Sequence, residues 1–320
     1  MSKKKIRYSK NLLSEKLIFV GGVTRCGKSF LLPLVSSLKK TEMFFCNSVA
    51  ENIYFLNYLK LIDDTSASYL FKHIYNEKIY NLNIGRELSK RIFDYSSIRK
   101  CKNPNIYYQR EKSIKEGDVK IKEIKKEKNN YPIMIHNVLL KPEFIFKSFP
   151  KSKVIFIDRH PVDLIFEWIE KKYYGKFYSN PRCTTPSFES KKKTYPFWCY
   201  GYEKEFFKLS NVYEKTIFLF EKLYVVQKKN YLRFRKKYLK NLLLVKFNKL
   251  VEKTNKELKI IEKFLNIKES KFTPIEIKKQ RGNRKNADHL HKNKRDIIIR
   301  NISDKYKKKL IELEKLYLKN

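Results

Sequence analysis

Gly22, Gly27, Lys28 and Ser29 follow the spacing glycine, four residues, then Gly-Lys-Ser, and the run that contains them, GGVTRCGKSFLL, comes directly after an apolar stretch. That spacing suits the cradling of a phosphate. Glycines let successive backbone N–H groups curl round an anion, a helix opening near Lys28 aims its positive end at it, and Lys28 adds a mobile cation. Glycine is scarce, 8 residues in 320, yet three of them fall in this loop. The plainer alternative is a strand-to-helix turn that uses glycine only for its φ angles.

A second group of chemistry-bearing residues lies in KVIFIDRHPVDLIFEWIE, from Lys153 to Glu170. It reads as an apolar strand, then Arg159, His160 and Pro161, then a helix beginning at Val162 or Asp163. An arginine at a strand tip, in a turn fixed by proline, is placed to grip a phosphate; its alternative is an ion pair with Asp163 on the first helical turn. His136 ends the run YPIMIH, twenty-three residues before Arg159. Its ordinary pKa near neutrality suits a general base, the alternative being an imidazole satisfied by backbone groups under a sheet. Asp158 ends VIFID, so that Lys28, Ser29 and Asp158 also admit magnesium-assisted phosphoryl transfer from ATP.

Together these motifs resemble the P-loop sulfotransferases. GGVTRCGKSFLL is similar to the family's 5′-phosphosulfate loop, most of all in tyrosylprotein sulfotransferases and their bacterial relatives, with Arg25 on the loop arginine, Cys26 in place of serine and Lys28 in place of threonine. The Lys153–Glu170 run resembles the 3′-phosphate motif, with Arg159 on its arginine and Glu167 where the family has serine. His136 falls where cytosolic sulfotransferases carry their base. LLLVKFNKLVEKTNKELKIIEKFLNI is similar to a third, mainly architectural stretch, and KKQRGNRKNADHLHKNKRD, residues 278–296, lies where an RKG-type loop closes over the nucleotide. The resemblance implies a sulfuryl donor, 3′-phosphoadenosine 5′-phosphosulfate. Gly22, Thr24, Arg25, Cys26, Gly27, Lys28, Ser29, Phe30, Arg159, Arg281, Gly282 and Arg284 would hold it, with Lys285 a further candidate. It implies catalysis by His136, Arg25 and Lys28 without a metal, on an acceptor hydroxyl or amine. Two other readings stand beside it: a P-loop kinase or NTPase using ATP and magnesium, and a non-catalytic relative that binds acidic glycans or lipids, for which Glu167 is the motive.

To position these groups the chain needs strands whose carboxyl ends meet. Five apolar runs read as strands buried on both faces, Leu17–Gly22, Glu42–Cys46, Pro132–His136, Lys153–Asp158 and Leu242–Phe247, and they alternate with helical stretches. The expected fold is α/β, a three-layer P-loop sandwich whose central parallel sheet is flanked by helices, built as one domain over residues 1–320. Residues 110–130 read as a charged, solvated helix or an excursion over the surface. A helical, aromatic-rich insertion at about 166–240 contains TYPFWCYGY, where Tyr195, Trp198 and Tyr202 suit stacking on a sugar ring, the alternative being that they pack the insertion's own core. Helices are expected at Asn255–Leu265, through a Leu258, Ile261, Leu265 stripe, and at Ser303–Leu318, through Tyr306, Leu310, Leu313 and Tyr317.

Lys and Arg number 73 against 33 acids, a net charge of +40. Such a field draws phosphorylated nucleotides, nucleic acid, anionic lipid or acidic glycans, although lysine-rich solvated faces produce the same count. The absence of an RNA-binding aromatic signature, of Cys/His zinc spacing and of an isolated basic tail argues against a nucleic-acid partner. Cys26, Cys46, Cys101, Cys183 and Cys199 are odd in number and scattered, which suits a reducing compartment rather than a disulfide framework. The basic N-terminus leads only into LIFVGGV, too short for a signal sequence, and no run reaches membrane-spanning length. The expectation is a cytoplasmic protein, with membrane contact limited to surface electrostatics.

Overall fold

The computed structural model describes residues 12–179, 185–284 and 288–319. In chain order the strands are β1 (Leu17–Gly22), β2 (Phe45–Cys46), β3 (Tyr131–His136), β4 (Lys153–Asp158), β5 (Ser187–Ser190), β6 (Lys193–Pro196) and β7 (Leu242–Lys246). The α-helices are α1 (Lys28–Ser36), α2 (Ser48–Tyr58), α3 (Asp64–Ile84), α4 (Pro104–Lys112), α5 (Gly117–Glu127), α6 (Pro142–Ser148), α7 (Pro161–Glu170) and α8 (Tyr173–Ser179), followed by α9 (Glu203–Phe207), α10 (Val212–Phe234), α11 (Phe247–Glu252), α12 (Thr254–Leu265), α13 (Thr273–Lys279), α14 (Asp288–Arg300) and α15 (Asp304–Leu318).

Five strands make one sheet in the order β2-β3-β1-β4-β7, and every neighbouring pair is parallel. All six residues of β1 are buried, as a central strand covered on both faces requires. On one face Phe19 packs against Phe71 and Tyr75 of α3 and against Phe149. The register sets Gly22 opposite His136 and Gly21 opposite Phe156, so the carboxyl ends of β3, β1 and β4 finish side by side. The α/β class with a parallel sheet between helices is therefore the one expected.

Several local expectations are corrected. Only Phe45 and Cys46 of the run 42–46 form regular strand, because the Glu42 carboxylate turns inward to Tyr107, Arg110 and Asn129. The region 110–130 is largely exposed and carries the helix α5, yet it is anchored at two points the sequence did not show: Arg110 closes a buried ion pair with Glu42 at 2.8 Å, and α5 buries Ile124. The 166–240 stretch is not purely helical, since β5 and β6 form an antiparallel hairpin within it. Tyr195 and Trp198 are buried in the insertion's own core, Tyr195 against Phe188 and Phe206 and Trp198 against Phe197. Tyr202 stays partly exposed under the Lys222 ammonium, 3.5 Å from its ring centre. Two of the three rings expected to stack on sugar are thus unavailable to it. The helix stripes of α12 and α15 are buried as expected. Cys26, Cys46, Cys101 and Cys199 are free thiols, while Cys183 and Lys285 lie outside the described residues. Among the described residues no helix is long and apolar enough to cross a membrane.

Candidate active site

The loop between β1 and α1 turns sharply at three positions with positive φ, Gly22 (149°), Arg25 (72°) and Gly27 (113°). The two glycines are required sterically as well. A β-carbon at Gly22 would stand 2.6 Å from the Ile157 carbonyl oxygen, and one at Gly27 would stand 2.2 Å from the Phe247 ring.

Four consecutive carbonyls of the loop are tied off from behind. Gly22 and Val23 accept from the Lys28 ammonium at 3.2 Å each, Thr24 from the Trp168 indole at 2.9 Å, and Arg25 from the Arg159 guanidinium at 2.9 Å. With these four acceptors engaged, and the Cys26 N–H turned back to the Val23 carbonyl at 3.1 Å, what remains for an outside partner is the start of α1. Gly27 occupies the N-cap of α1, no side chain caps that helix, and its first turn holds no acid. The orphan N–H groups and positive end of α1 are left for an anion.

Lys28 lies inside the loop rather than on its mouth. It is buried, and its ammonium also lies 3.8 Å from the Cys26 sulfur. Cys26 is fully buried, and burial pushes its thiol pKa up against the nearby Lys28 charge, so it stays a neutral thiol. Phe30 is buried, edge-on to Phe247, and the Phe247 ring in turn carries the Arg159 guanidinium 5.0 Å from its centre. On the other side Arg284 lies 5.8 Å over Phe30 and donates to the carbonyls of Arg281 and Gln280. Phe30 and Phe247 thereby connect the loop, the strand-tip arginine and the region 281–284. Gly282 belongs to that packing: a β-carbon there would stand 2.8 Å from the Thr254 hydroxyl. Arg281 is exposed with φ 54° at the end of α13, and Ser29 is half-buried on the first turn of α1.

Arg159 is 14% exposed, and its buried Nε has no hydrogen-bond partner among the described residues. Burial lowers its pKa, with Asp163 and Glu167 pulling the other way. The carboxylate in ion-pair contact with it is Glu167, 3.8 Å away; Asp163, the partner in the alternative reading, pairs with His291 and Lys294. Glu167 also accepts from Arg25 at 2.9 and 3.2 Å. One carboxylate therefore lies between the two arginines of the anion site.

His136 ends β3 beside Gly22, with its side chain 37% exposed. Its backbone N–H donates to Glu51 at 2.9 Å, and its Nδ1 lies 3.1 Å from both Glu51 oxygens. Burial alone would raise the Glu51 carboxyl; the His136 ring and backbone N–H, with Lys28 nearby, hold it below the ordinary value. A carboxylate fixed on Nδ1 selects the tautomer that leaves Nε2 bare to accept a proton. Sequence reasoning missed Glu51, and its one local signal is an acid on the first turn of the helix after β2.

Asp158 ends β4 fully buried, accepting from Lys228 at 2.7 Å, Lys246 at 2.8 Å and Tyr224 at 2.9 Å. Two ammonium groups neutralise it inside the fold, an arrangement unlike a carboxylate presented to magnesium.

No protein-family model matches the chain, and no curated protein matches it. Solved structures that the chain resembles include sulfotransferases. The sulfotransferase domain of the Synechococcus PCC 7002 olefin synthase aligns over 99% of both chains at 10% identity and TM-score 0.44. The sulfotransferase STF1 of Mycobacterium tuberculosis H37Rv aligns over 88% of this chain and 76% of its own, at 8% identity and TM-score 0.42. The sulfotransferase domain of the curacin biosynthetic pathway aligns over 82% and 77%, at 12% identity and TM-score 0.41. At such scores the chemistry has to be read from the loop's own residues.

Proposed function

We propose that the chain transfers a sulfuryl group from 3′-phosphoadenosine 5′-phosphosulfate to an acceptor hydroxyl or amine. The observation that carries this reading is the uncapped N-terminus of α1, with four loop carbonyls tied off behind it and Arg25, Arg159 and His136 around it. Backbone N–H groups and Arg25 would hold the phosphosulfate, and the orphan Nε of Arg159 fits a further anionic oxygen. Lys28 would leave the Gly22 and Val23 carbonyls to follow negative charge as it builds on the bridging oxygen. Arg284, and Arg281 beside it, would supply cations for the far phosphate.

His136 takes the acceptor proton as the acceptor atom bonds to sulfur. The bond from sulfur to the bridging oxygen breaks, and adenosine 3′,5′-bisphosphate leaves with the electron pair. The donor supplies an activated sulfuryl group, and the residues supply position and charge, so the step needs no metal. A kinase or NTPase reading would ask Asp158 for a magnesium ligand, and two lysines already hold it.

One observation favours a second reading. Glu167 supplies the loop arginines with a built-in anion, as in a relative that keeps the fold and no longer transfers. Metal-free calorimetry with adenosine 3′,5′-bisphosphate, compared with ATP plus magnesium, tests the donor. Transfer of sulfur-35 to small hydroxyl and amine acceptors then separates enzyme from binding protein. Tight binding of ATP with magnesium and none of the bisphosphate would overturn the proposal.

A further inference from the structure

His160, His291 and Glu314 come from three separate places, the turn before α7, α14 and α15, and each brings a donor atom to within 4.8 Å of the others. The geometry points to a binding site for a divalent transition metal of the zinc type. The two imidazoles meet edge to face with ring centres 4.1 Å apart, and the Tyr317 ring, 4.8 Å from His160, closes one side. His160 Nδ1 accepts the Val162 backbone N–H at 3.3 Å, so the metal-free ring carries its proton on Nε2; ligation through Nε2 moves that proton to Nδ1 and gives up this long capping bond. His291 Nδ1 lies 3.6 Å from the Asp163 carboxylate, itself anchored by Lys294 at 3.1 Å. At 3.6 Å no hydrogen bond forms, and Nδ1 has no hydrogen-bond partner among the described residues; shortened by a few tenths of an ångström, the contact becomes the carboxylate–histidine pairing that orients a metal-bound ring. Two imidazoles and a carboxylate form a donor set that suits zinc and leaves a fourth position for water.

Zinc holds such donors at about 2.0–2.2 Å, which places them roughly 3.3–3.5 Å from one another. The cluster must therefore contract by about 1–1.5 Å, within reach of the Glu314 torsions. Arg295 grips Glu314 at 3.0–3.3 Å and serves as its counter-ion when no metal is present. A carboxylate has about four lone-pair sites, so one oxygen can turn to the metal while the other keeps Arg295. Because His160 adjoins Arg159, the ion would pin α14 and α15 to the turn that carries Arg159, the donor to the loop's Arg25 carbonyl. The site is independent of the proposed transfer chemistry, and its success or failure leaves that reading untouched.

The test uses the full chain stripped with a chelator. Zinc is titrated in competition with a chromophoric chelator, and Co²⁺ serves as a visible probe of coordination. One ion per chain is expected, with a four-coordinate Co²⁺ spectrum free of thiolate charge transfer. His291→Ala and Glu314→Gln should each loosen zinc about tenfold or more. Arg295→Met, which releases Glu314, should tighten it, a gain that misfolding cannot produce. Absence of zinc binding, binding indifferent to His291→Ala and Glu314→Gln, a thiolate band in the Co²⁺ spectrum, or no tightening in Arg295→Met would overturn the assignment.

Discussion

Glu167 carries the wrong charge for an anion site, and its two oxygens face Arg25 and Arg159. Arg25 is 43% exposed, so this ion pair is worth only about 0.2–1 kcal/mol, weak enough for the proposed phosphosulfate to displace it. Neutralising the carboxylate removes both the competitor and its repulsion of the ligand. Glu167→Gln should therefore bind adenosine 3′,5′-bisphosphate roughly fivefold more tightly, a difference of about 1 kcal/mol by calorimetry. Unchanged or weaker binding would mean that Glu167 positions Arg25 rather than competing for it. On the proposed mechanism, variants of His136 and Glu51 should separate binding from chemistry. His136→Ala should lower turnover by about 10²–10⁴ with the bisphosphate affinity retained. Glu51→Gln should cost about tenfold, because the amide oxygen still accepts the His136 backbone N–H while the ring loses its anionic partner. A parallel loss of nucleotide affinity in either variant would contradict that division. His136 was legible in the sequence because an apolar run ending in a polar residue marks the tip of a buried strand. Glu51 was not, since its partner lies 85 residues away and only the β2–β3 neighbourhood brings them together. Lys28 was legible by position but not by direction: the pattern aims it at the ligand, while the loop's own carbonyls hold it inside.

The elements were legible in proportion to their burial. β1 is apolar over its whole length and β4 from Val154 to Ile157 because both faces are covered, and the ends of both strands fall where the sequence runs end. The polar, half-exposed β5 and β6 leave no such run, and β2 lost its first residues to a side-chain network that only α4 completes. The same network explains why residues 110–130 read as solvated: their charges are numerous, and the one that matters, Arg110, is buried against an acid far away in sequence. Gly27 shows how tightly the loop depends on its neighbouring element. Gly27→Ala faces two penalties, a φ of 113° and a contact of 2.2 Å with the first residue of α11, Phe247. The backbone penalty alone is about 1–3 kcal/mol. In urea unfolding Gly27→Ala should exceed that value, and adding Phe247→Ala should recover the steric part but not the conformational part. Simple additivity of the two losses would show that Phe247 does not close on this glycine.

Over the whole molecule, a net charge of +40 makes self-repulsion a general cost of compactness, and added salt should raise the urea midpoint by screening it. Buried pairs should respond to pH and hardly to salt. Burial alone would raise Glu42, yet Arg110, Tyr107 and Asn129 hold its carboxyl below the ordinary value, and Glu51 is lowered against burial by His136 and Lys28. Asp64, bonded first by Lys141, is lowered to about 2. In each case the unfolded chain binds more protons than the folded one in mild acid. The stabilisation is complete above the ordinary carboxylate pKa of about 4 and is lost as pH falls through the folded values. On the alkaline side burial raises the thiols of Cys101 to about 11 and Cys199 to about 12, and raises the phenols of Tyr54, Tyr75 and Tyr107. The unfolded state releases those protons first, so stability falls as pH rises past about 9–10. Lys102 and Lys246 oppose this: burial lowers each ammonium to about 8, so the unfolded chain binds the extra protons and stability gains between about 8 and 10.5. The thiols and phenols outnumber them, which sets the net direction downward. The urea midpoint should therefore form a plateau bounded by an acid limb and an alkaline limb. Glu42→Gln should flatten the acid limb at every salt concentration, because Arg110 and Glu42 meet where counter-ions do not reach. An acid limb as steep in Glu42→Gln as in the parent would show that the pair between β2 and α4 does not govern how the fold meets acid.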